Sequence, residues 1–310
     1  QYSVHNAPVW GKKRRVQALR MPKHKKEAAM KKHHALYQTM LDGMARYGGT
    51  LEGAAEEGLG VPASCIRRRV ILAPWWEPSM FAPEAFGRAE YLSPVPNAEI
   101  MVWDVTPPKG EAVTFIKTHI GAPVCMDAAL SLGLTACEEC LFIGSVGALD
   151  PAMRLGDIVV PEFSVCGDGA SRYLLPGSLA ENNPFGMRAY PDAALNGRLI
   201  QAAKRIAGEE GVGFHTARNF SIDTIFAQFS RIDAILALGC NTVEMETAAV
   251  FRAAELAGYR MAALFSVSDN ALQNKSLLGG REAEERAYRK RVRATVFPKI
   301  LYACFAQGKA

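Results

Sequence analysis

Two rhythms of hydrophobic and polar positions alternate along this chain. Stretches rich in apolar residues at 70–73, 100–105, 113–119, 141–146, 157–165 and 212–220 read as strands. The run 261–267 is nearly continuous and apolar, as expected of a strand buried on both faces. Between them, apolar residues recur at three- and four-residue spacing, which predicts amphipathic helices. These cover 123–132, 192–208 with Asp192 near the cap, 246–257 closed by Gly258, and a long closing helix over 280–305. In that last helix Arg286, Arg289, Arg291 and Arg293 are placed on exposed faces. The stretch 176–191, rich in Asn, Gly and Pro, reads as a surface loop. Strands alternating with helices make an α/β fold the expectation.

One junction stands out. Residues 242–245 are β-prone, 246–257 favour helix, and 261–267 form the next strand, so the segment reads as a right-handed βαβ unit. Val243-Glu244-Met245-Glu246-Thr247 then brings two carboxylates to a strand-to-helix turn, and Ser266-Val267-Ser268-Asp269-Asn270 brings a third to the same rim. Such a rim suits holding a sugar's hydroxyls while a departing ring is protonated. The bland reading is that Glu246 favours a helix N-terminus through the dipole and Asp269 caps the next segment of chain. For a single carboxylate that reading wins; two acidic sites on one rim favour chemistry.

Composition narrows the class. The 49% hydrophobic and 22% charged content is that of a soluble globular protein. No apolar run approaches the roughly 20 residues of a membrane span, and the basic start lacks the apolar core of a secretory signal. Residues 1–34 hold ten of the 36 Lys and Arg against one of the 31 acids, Glu27, so they are net +9 while the remainder is net −4. A helix over 25–47 is expected there, with Tyr37, Met40, Leu41 and Met44 as its apolar stripe. A solvated basic arm with one docked helix is favoured over nucleic-acid binding, because no aromatic interleaving or nucleic-acid motif accompanies the charge. Residues 1–69 are accordingly read as a basic, partly helical extension and 70–310 as the catalytic domain. The seven scattered cysteines suggest reduced thiols in a cytoplasm. Cys137 and Cys140 have half-site spacing, but nothing partners them at metal spacing, so two semi-buried thiols are expected and no metal.

The motifs resemble the nucleoside phosphorylase superfamily, which includes purine nucleoside and uridine phosphorylases and the AMP and methylthioadenosine nucleosidases. Beside VEMET and VSDN, Thr118-His119-Ile120-Gly121-Ala122-Pro123 is similar to the family's Thr-Gly-Ile-Gly-x-Pro turn. Ile143-Gly144-Ser145-Val146-Gly147-Ala148 resembles its Gly-Ser-x-Gly-Ala strand end, and Leu155-Gly156-Asp157-Ile158-Val159 its Val-Gly-Asp-Val-Val strand. Gly167-Asp168-Gly169-Ala170-Ser171-Arg172-Tyr173 is similar to a Gly-Glu-Gly-Thr-Ser-x-x-Tyr segment. The matches run in order from about residue 70 to the C-terminus. The resemblance implies a mixed, largely parallel central sheet flanked by helices in three layers, and a homo-oligomer.

It also implies roles. Glu246 would accept hydrogen bonds from the ribose 2′ and 3′ hydroxyls, Met245 would pack on the sugar, and the Glu244 backbone would assist the base. Asp269 matches the aspartate that protonates N7 of a purine, which asks for a partly desolvated carboxyl. Phe220, Ile225 and Phe226 belong to the base-stacking segment. Arg231 falls where uridine phosphorylases read uracil, although Gln228 lies one residue early; for Arg231 a surface ion pair is an equal reading. A purine is the favoured base. Thr118, Gly144 and Ser145 keep the phosphate or water site, with no cofactor and with inorganic phosphate as the co-substrate in question. There the pattern departs from the family: Pro74-Trp75-Trp76-Glu77-Pro78 replaces its Gly-Asp-Pro-x-Arg turn, and Phe142 its second arginine. Lys117, an arginine from 67–69, or the basic arm of another subunit are the candidate substitutes. Without one, water attacks as in the nucleosidases, and Glu77 becomes the candidate general base, or else an ordinary exposed loop acid. A catalytically reduced binding protein, with Trp75 and Trp76 filling the phosphate pocket, is the remaining alternative.

Overall fold

Period-two alternation divides each central strand between two cores. Val70 and Leu72 face one hydrophobic cluster while Ile71 and Ala73 face another, and Phe142 opposes Leu141 and Ile143 in the same way. The computed structural model describes residues 33–276, 278–279 and 282–308. Its strands are β1 (Arg69–Ala73), β2 (Arg88–Tyr91), β3 (Met101–Thr106), β4 (Val113–Lys117), β5 (Glu139–Ala148), β6 (Ile158–Gly167), β7 (Arg188–Ala189), β8 (Phe214–Ile222), β9 (Thr242–Glu244) and β10 (Arg260–Asn270). Its helices are α1 (Ala35–Arg46), α2 (Leu51–Leu59), α3 (Pro83–Phe86), α4 (Ala122–Leu132), α5 (Ala193–Glu209), α6 (Ile225–Gln228), α7 (Ile232–Ala237), α8 (Thr247–Ala257), α9 (Ala283–Arg291) and α10 (Phe297–Ala306). Helices α4 and α8 cover one face of the sheet and α5 and α10 the other, giving the expected mixed α/β sandwich. Among the described residues no helix is long and apolar enough to cross a membrane.

The sheet is mixed. Pairs β1–β4, β1–β5, β5–β10, β6–β8 and β8–β9 are parallel, and β2–β3, β3–β4, β5–β9, β6–β7 and β6–β10 are antiparallel. Strands β5, β10, β6, β8 and β9 close into a ring because β10 pairs with both β5 and β6. This corrects the βαβ expectation: β9 runs antiparallel to β5 while β10 runs parallel to it, so β9 and β10 point in opposite directions. The reason is pairing. β9 meets β5 only at Gly147 and Ala148 and runs parallel to β8, so it already heads down from the rim. α8 continues that descent, and β10 climbs back from the level of Glu139.

Two further boundaries differ from expectation for identifiable reasons. The strand read over 113–119 stops at Lys117, and His119 turns the chain with φ +134°, a backbone region that suits glycine. The closing helix is not continuous: a π turn at Val292–Val296 separates α9 from α10. Pro298 has no N–H to give the carbonyl of Ala294, and that carbonyl instead accepts the Ala82 N–H at 3.0 Å.

The basic stretch 1–32, including the first part of the helix read over 25–47, lies outside the described residues. The remainder of that helix, α1, packs through Tyr37 and Leu41 into the core shared by α4 and α8, and the Tyr37 hydroxyl donates to the Leu130 carbonyl at 2.6 Å. Thr50 caps α2 through its side chain, and Gly60 ends it in the left-handed conformation.

Candidate active site

The carboxylates meet through strand register. Gly147 of β5 pairs with Val243 of β9 on one side and with Asp269 of β10 on the other. A β-bulge between Val267 and Asp269 offsets β10 by one residue at that level. A Cβ at position 147 would lie 3.1 Å from both Asp269 Oδ2 and Val243 Cγ1, close enough that one of them would have to give by a few tenths of an ångström. Above this row opens a cavity of about 450 Å³. Glu244, Met245, Glu246, Gly144, Ser145, Ser268 and Asp269 line it together, which unites most of the predicted rim.

The two glutamates divide their work. Glu244 Oε2 accepts the N–H groups of Glu246 and Thr247 at 2.8 Å each, and its Oε1 accepts the Ser221 hydroxyl at 2.6 Å. Glu244 is therefore the residue that satisfies the N-terminus of α8, the part the bland reading gave to Glu246. Glu246 instead accepts the Gly121 N–H at 2.8 Å and the Met245 N–H at 3.2 Å, fastening the 118–121 turn over the cavity. Burial raises the pKa of both carboxyls, and for Glu246 the neighbouring charge of Glu244 adds to it, to about 8. Asp269 is 3% exposed, and its Oδ1 and the Val146 carbonyl, the latter 3.0 Å from Ser268 Oγ, both lie within reach of the single proton of the Ser268 hydroxyl.

Other predicted residues stand elsewhere. Thr118 is fully buried beneath the turn, with its hydroxyl 3.1 Å from Cys125 Sγ, and does not line the cavity. Ile225 lines it, whereas Phe220 packs in a separate core cluster with Ile235 and Val243. Phe226 is 90% exposed and Arg231 is also exposed, both outside the cavity. Glu77 is held away by Lys117 Nζ at 2.8 Å and Ser79 Oγ at 2.6 Å, and those bonds lower its pKa. A carboxylate so paired is a weakened base, and it takes Lys117 out of use with it. The candidate substitutes at 67–69 are likewise engaged: Arg67 with Asp104, Arg68 with Glu138, and Arg69 with Glu139 and Glu111. They sit at the start of β1, and the cavity is at its end.

The structure adds Ile120, from the 118–121 turn, and Pro74 to the site, and it brings there three residues weighed from the sequence: Gln228 from α6, and Trp75 and Trp76 from the loop after β1. Arg289 and Arg293 also line it and are half-buried, which corrects their exposed placement; Arg286 and Arg291 are exposed as expected. The signal was present in the sequence: 289, 293, 296 and 300 share one helical face, and Val296 and Ile300 are core residues. Cys137 and Cys140 are fully buried free thiols, and the described residues hold no cluster suited to a metal ion.

The Phosphorylase superfamily model matches residues 100–302, and the chain belongs to that superfamily. It is similar to the uridine phosphorylase of Salmonella typhimurium, 28% identical over 181 residues that span 54% of this chain and 67% of the relative. It is also similar to a DeoD-type purine nucleoside phosphorylase of Streptococcus pyogenes, 26% identical over 164 residues, 52% of this chain and 65% of the relative. The crystal structure of purine nucleoside phosphorylase from Toxoplasma gondii in complex with immucillin-H shares the fold, with a TM-score of 0.62 at 19% identity over 80% of this chain and 94% of that one.

Proposed function

We propose that this protein cleaves the N-glycosidic bond of a nucleoside, favouring a purine, with inorganic phosphate as acceptor and no cofactor. It would act in the cytoplasm as a homo-oligomer. The observation that carries this reading is that Glu246 and Asp269 line one cavity of about 450 Å³, a size suited to a small ligand. Glu246 grips the ribose hydroxyls and Met245 packs on the sugar. As the C1′–N9 bond breaks, its electron pair passes to the base and the Asp269 carboxyl delivers a proton to N7. A phosphate oxygen then forms the new bond to C1′, giving ribose 1-phosphate and free base. Gln228 and Ile225 stand where the base is read, and Gly144 and Ser145 where the acceptor lies.

Hydrolysis is the second reading. The pairing of Glu77 with Lys117 argues against it, because the general base proposed for water is engaged outside the cavity. Incubation with a panel of purine and pyrimidine nucleosides, with and without phosphate, decides between them. Phosphate-dependent release of a purine is expected. Release without phosphate would replace the reading with a nucleosidase, and binding without release would replace it with a non-catalytic nucleoside-binding protein.

A further inference from the structure

The cations at this cavity come from an unexpected element. Arg289 and Arg293 line it from the last turn of α9 and the π turn that succeeds it. Short π turns inserted in α-helices frequently mark functional sites. This one is pinned by the hydrogen bond from Ala82 N–H to the Ala294 carbonyl. The Arg293 guanidinium lies 5.9 Å from the centre of the Trp76 ring, at the end of the cavity formed by the loop after β1.

Arg293 is half-buried, unlike the exposed strand arginines Arg188 and Arg218, and its partners differ from those of several other arginines around the sheet. Arg67, Arg68, Arg69, Arg198 and Arg260 each reach a carboxylate. Arg293 makes no ion pair among the described residues, and its buried Nε has no hydrogen-bond partner. Burial alone shifts its pKa, downward, with no acidic neighbour to offset it. A half-buried guanidinium without a counter-ion is costly unless a ligand supplies the charge. The loop after β1 brings no cation to the cavity: Pro74 also lacks an N–H, and the next two side chains are neutral indoles. Guanidinium groups match the oxygens of a phosphoryl group in bidentate fashion.

We propose that Arg293, with Arg289 beside it, forms the phosphoryl-binding subsite of this cavity, supplied by the closing helix in place of the loop after β1. The ligand chemistry is a phosphate dianion, present either as inorganic phosphate or as the 5′-phosphate of a nucleotide. The inference rests on the cavity being the nucleoside site, and it is measured as binding, without turnover.

Titration calorimetry on the full chain tests it with inorganic phosphate, adenosine 5′-monophosphate and adenosine. Saturable binding of inorganic phosphate identifies the free ion as the ligand; binding of the monophosphate tighter than adenosine identifies the ester. In Arg293→Met, whichever anion binds is expected to weaken about tenfold or more, with adenosine affinity unchanged. Arg293→Lys keeps the charge and loses the bidentate fork, so it should fall between the two; it decides the matter if the methionine variant does not fold. Anion affinity equal to wild type in the variants, or no binding of either anion by the wild type, overturns the proposal. Anion binding through Arg293 in a protein that releases no base would leave this subsite standing and remove the catalytic reading.

Discussion

Glu246 carries the clearest physical signature at the residue scale. Its carboxyl is buried, sits beside a second carboxyl, and has its pKa raised to about 8. An ionised carboxylate accepts both ribose hydroxyls in strong charge-assisted bonds, whereas the protonated acid commits one oxygen as a donor. Nucleoside binding measured by calorimetry should therefore tighten as pH rises through about 8, and Glu246→Gln should bind weakly with that pH dependence removed. The same shift acts on folding with a definite sign. The folded state holds this proton more tightly than the unfolded chain, so the associated stability is present at low pH and is lost as pH rises through about 8. Gly147 is the complementary case. Gly147→Ala would set a methyl 3.1 Å from Asp269 Oδ2 and Val243 Cγ1, pressing the carboxyl by a few tenths of an ångström away from its place against the base. Its turnover should fall well below wild type while thermal unfolding shows a folded protein; wild-type turnover in this variant would contradict the placement of Asp269.

At the scale of elements, the 118–121 turn shows strain that the sequence half announces. His119 stands where the family's turn carries glycine, and it adopts φ +134°. Non-glycine residues in such regions cost on the order of 1–3 kcal/mol. His119→Gly should thus raise stability by about 1 kcal/mol, net of the entropy that glycine adds to the unfolded chain, as read by urea denaturation. A destabilised variant would mean that the His119 ring contributes more than its backbone costs. The closing helix illustrates the opposite case. Its periodicity was legible, yet the break at the π turn depends on a bond between Ala82 and the Ala294 carbonyl, residues more than two hundred positions apart. Only the tertiary structure holds that information, and with it the orientation of Arg293 toward Trp76.

Seen as a whole molecule, the chain disclosed its fold through ordered motifs and through apolar runs that mark β1, β3, β4, β5, β6, β8 and β10. It disclosed the carboxylates of the site for the same reason: they sit at strand ends, where the pattern changes from apolar to polar. What it concealed was non-local. The ring closed by β10 depends on pairing with β5 and β6 at once. The antiparallel run of β9 involves three residues, too few for a periodic signal. The small helices α6 and α7, which deliver Ile225 and Gln228 and bury Ile235, have little amphipathic length of their own. The pairing of Lys117 with Glu77 joins two residues 40 apart that each read as available when taken alone.

The central claim is that Asp269 protonates the leaving base in a cavity it shares with Glu246. The most direct measurement is base release from a purine nucleoside, in phosphate buffer, by wild type and Asp269→Asn side by side, with circular dichroism and nucleoside affinity as controls. Loss of general-acid catalysis should lower kcat by about 10²–10⁴-fold in a folded protein that still binds nucleoside. An Asp269→Asn protein that releases base as fast as wild type would contradict the account.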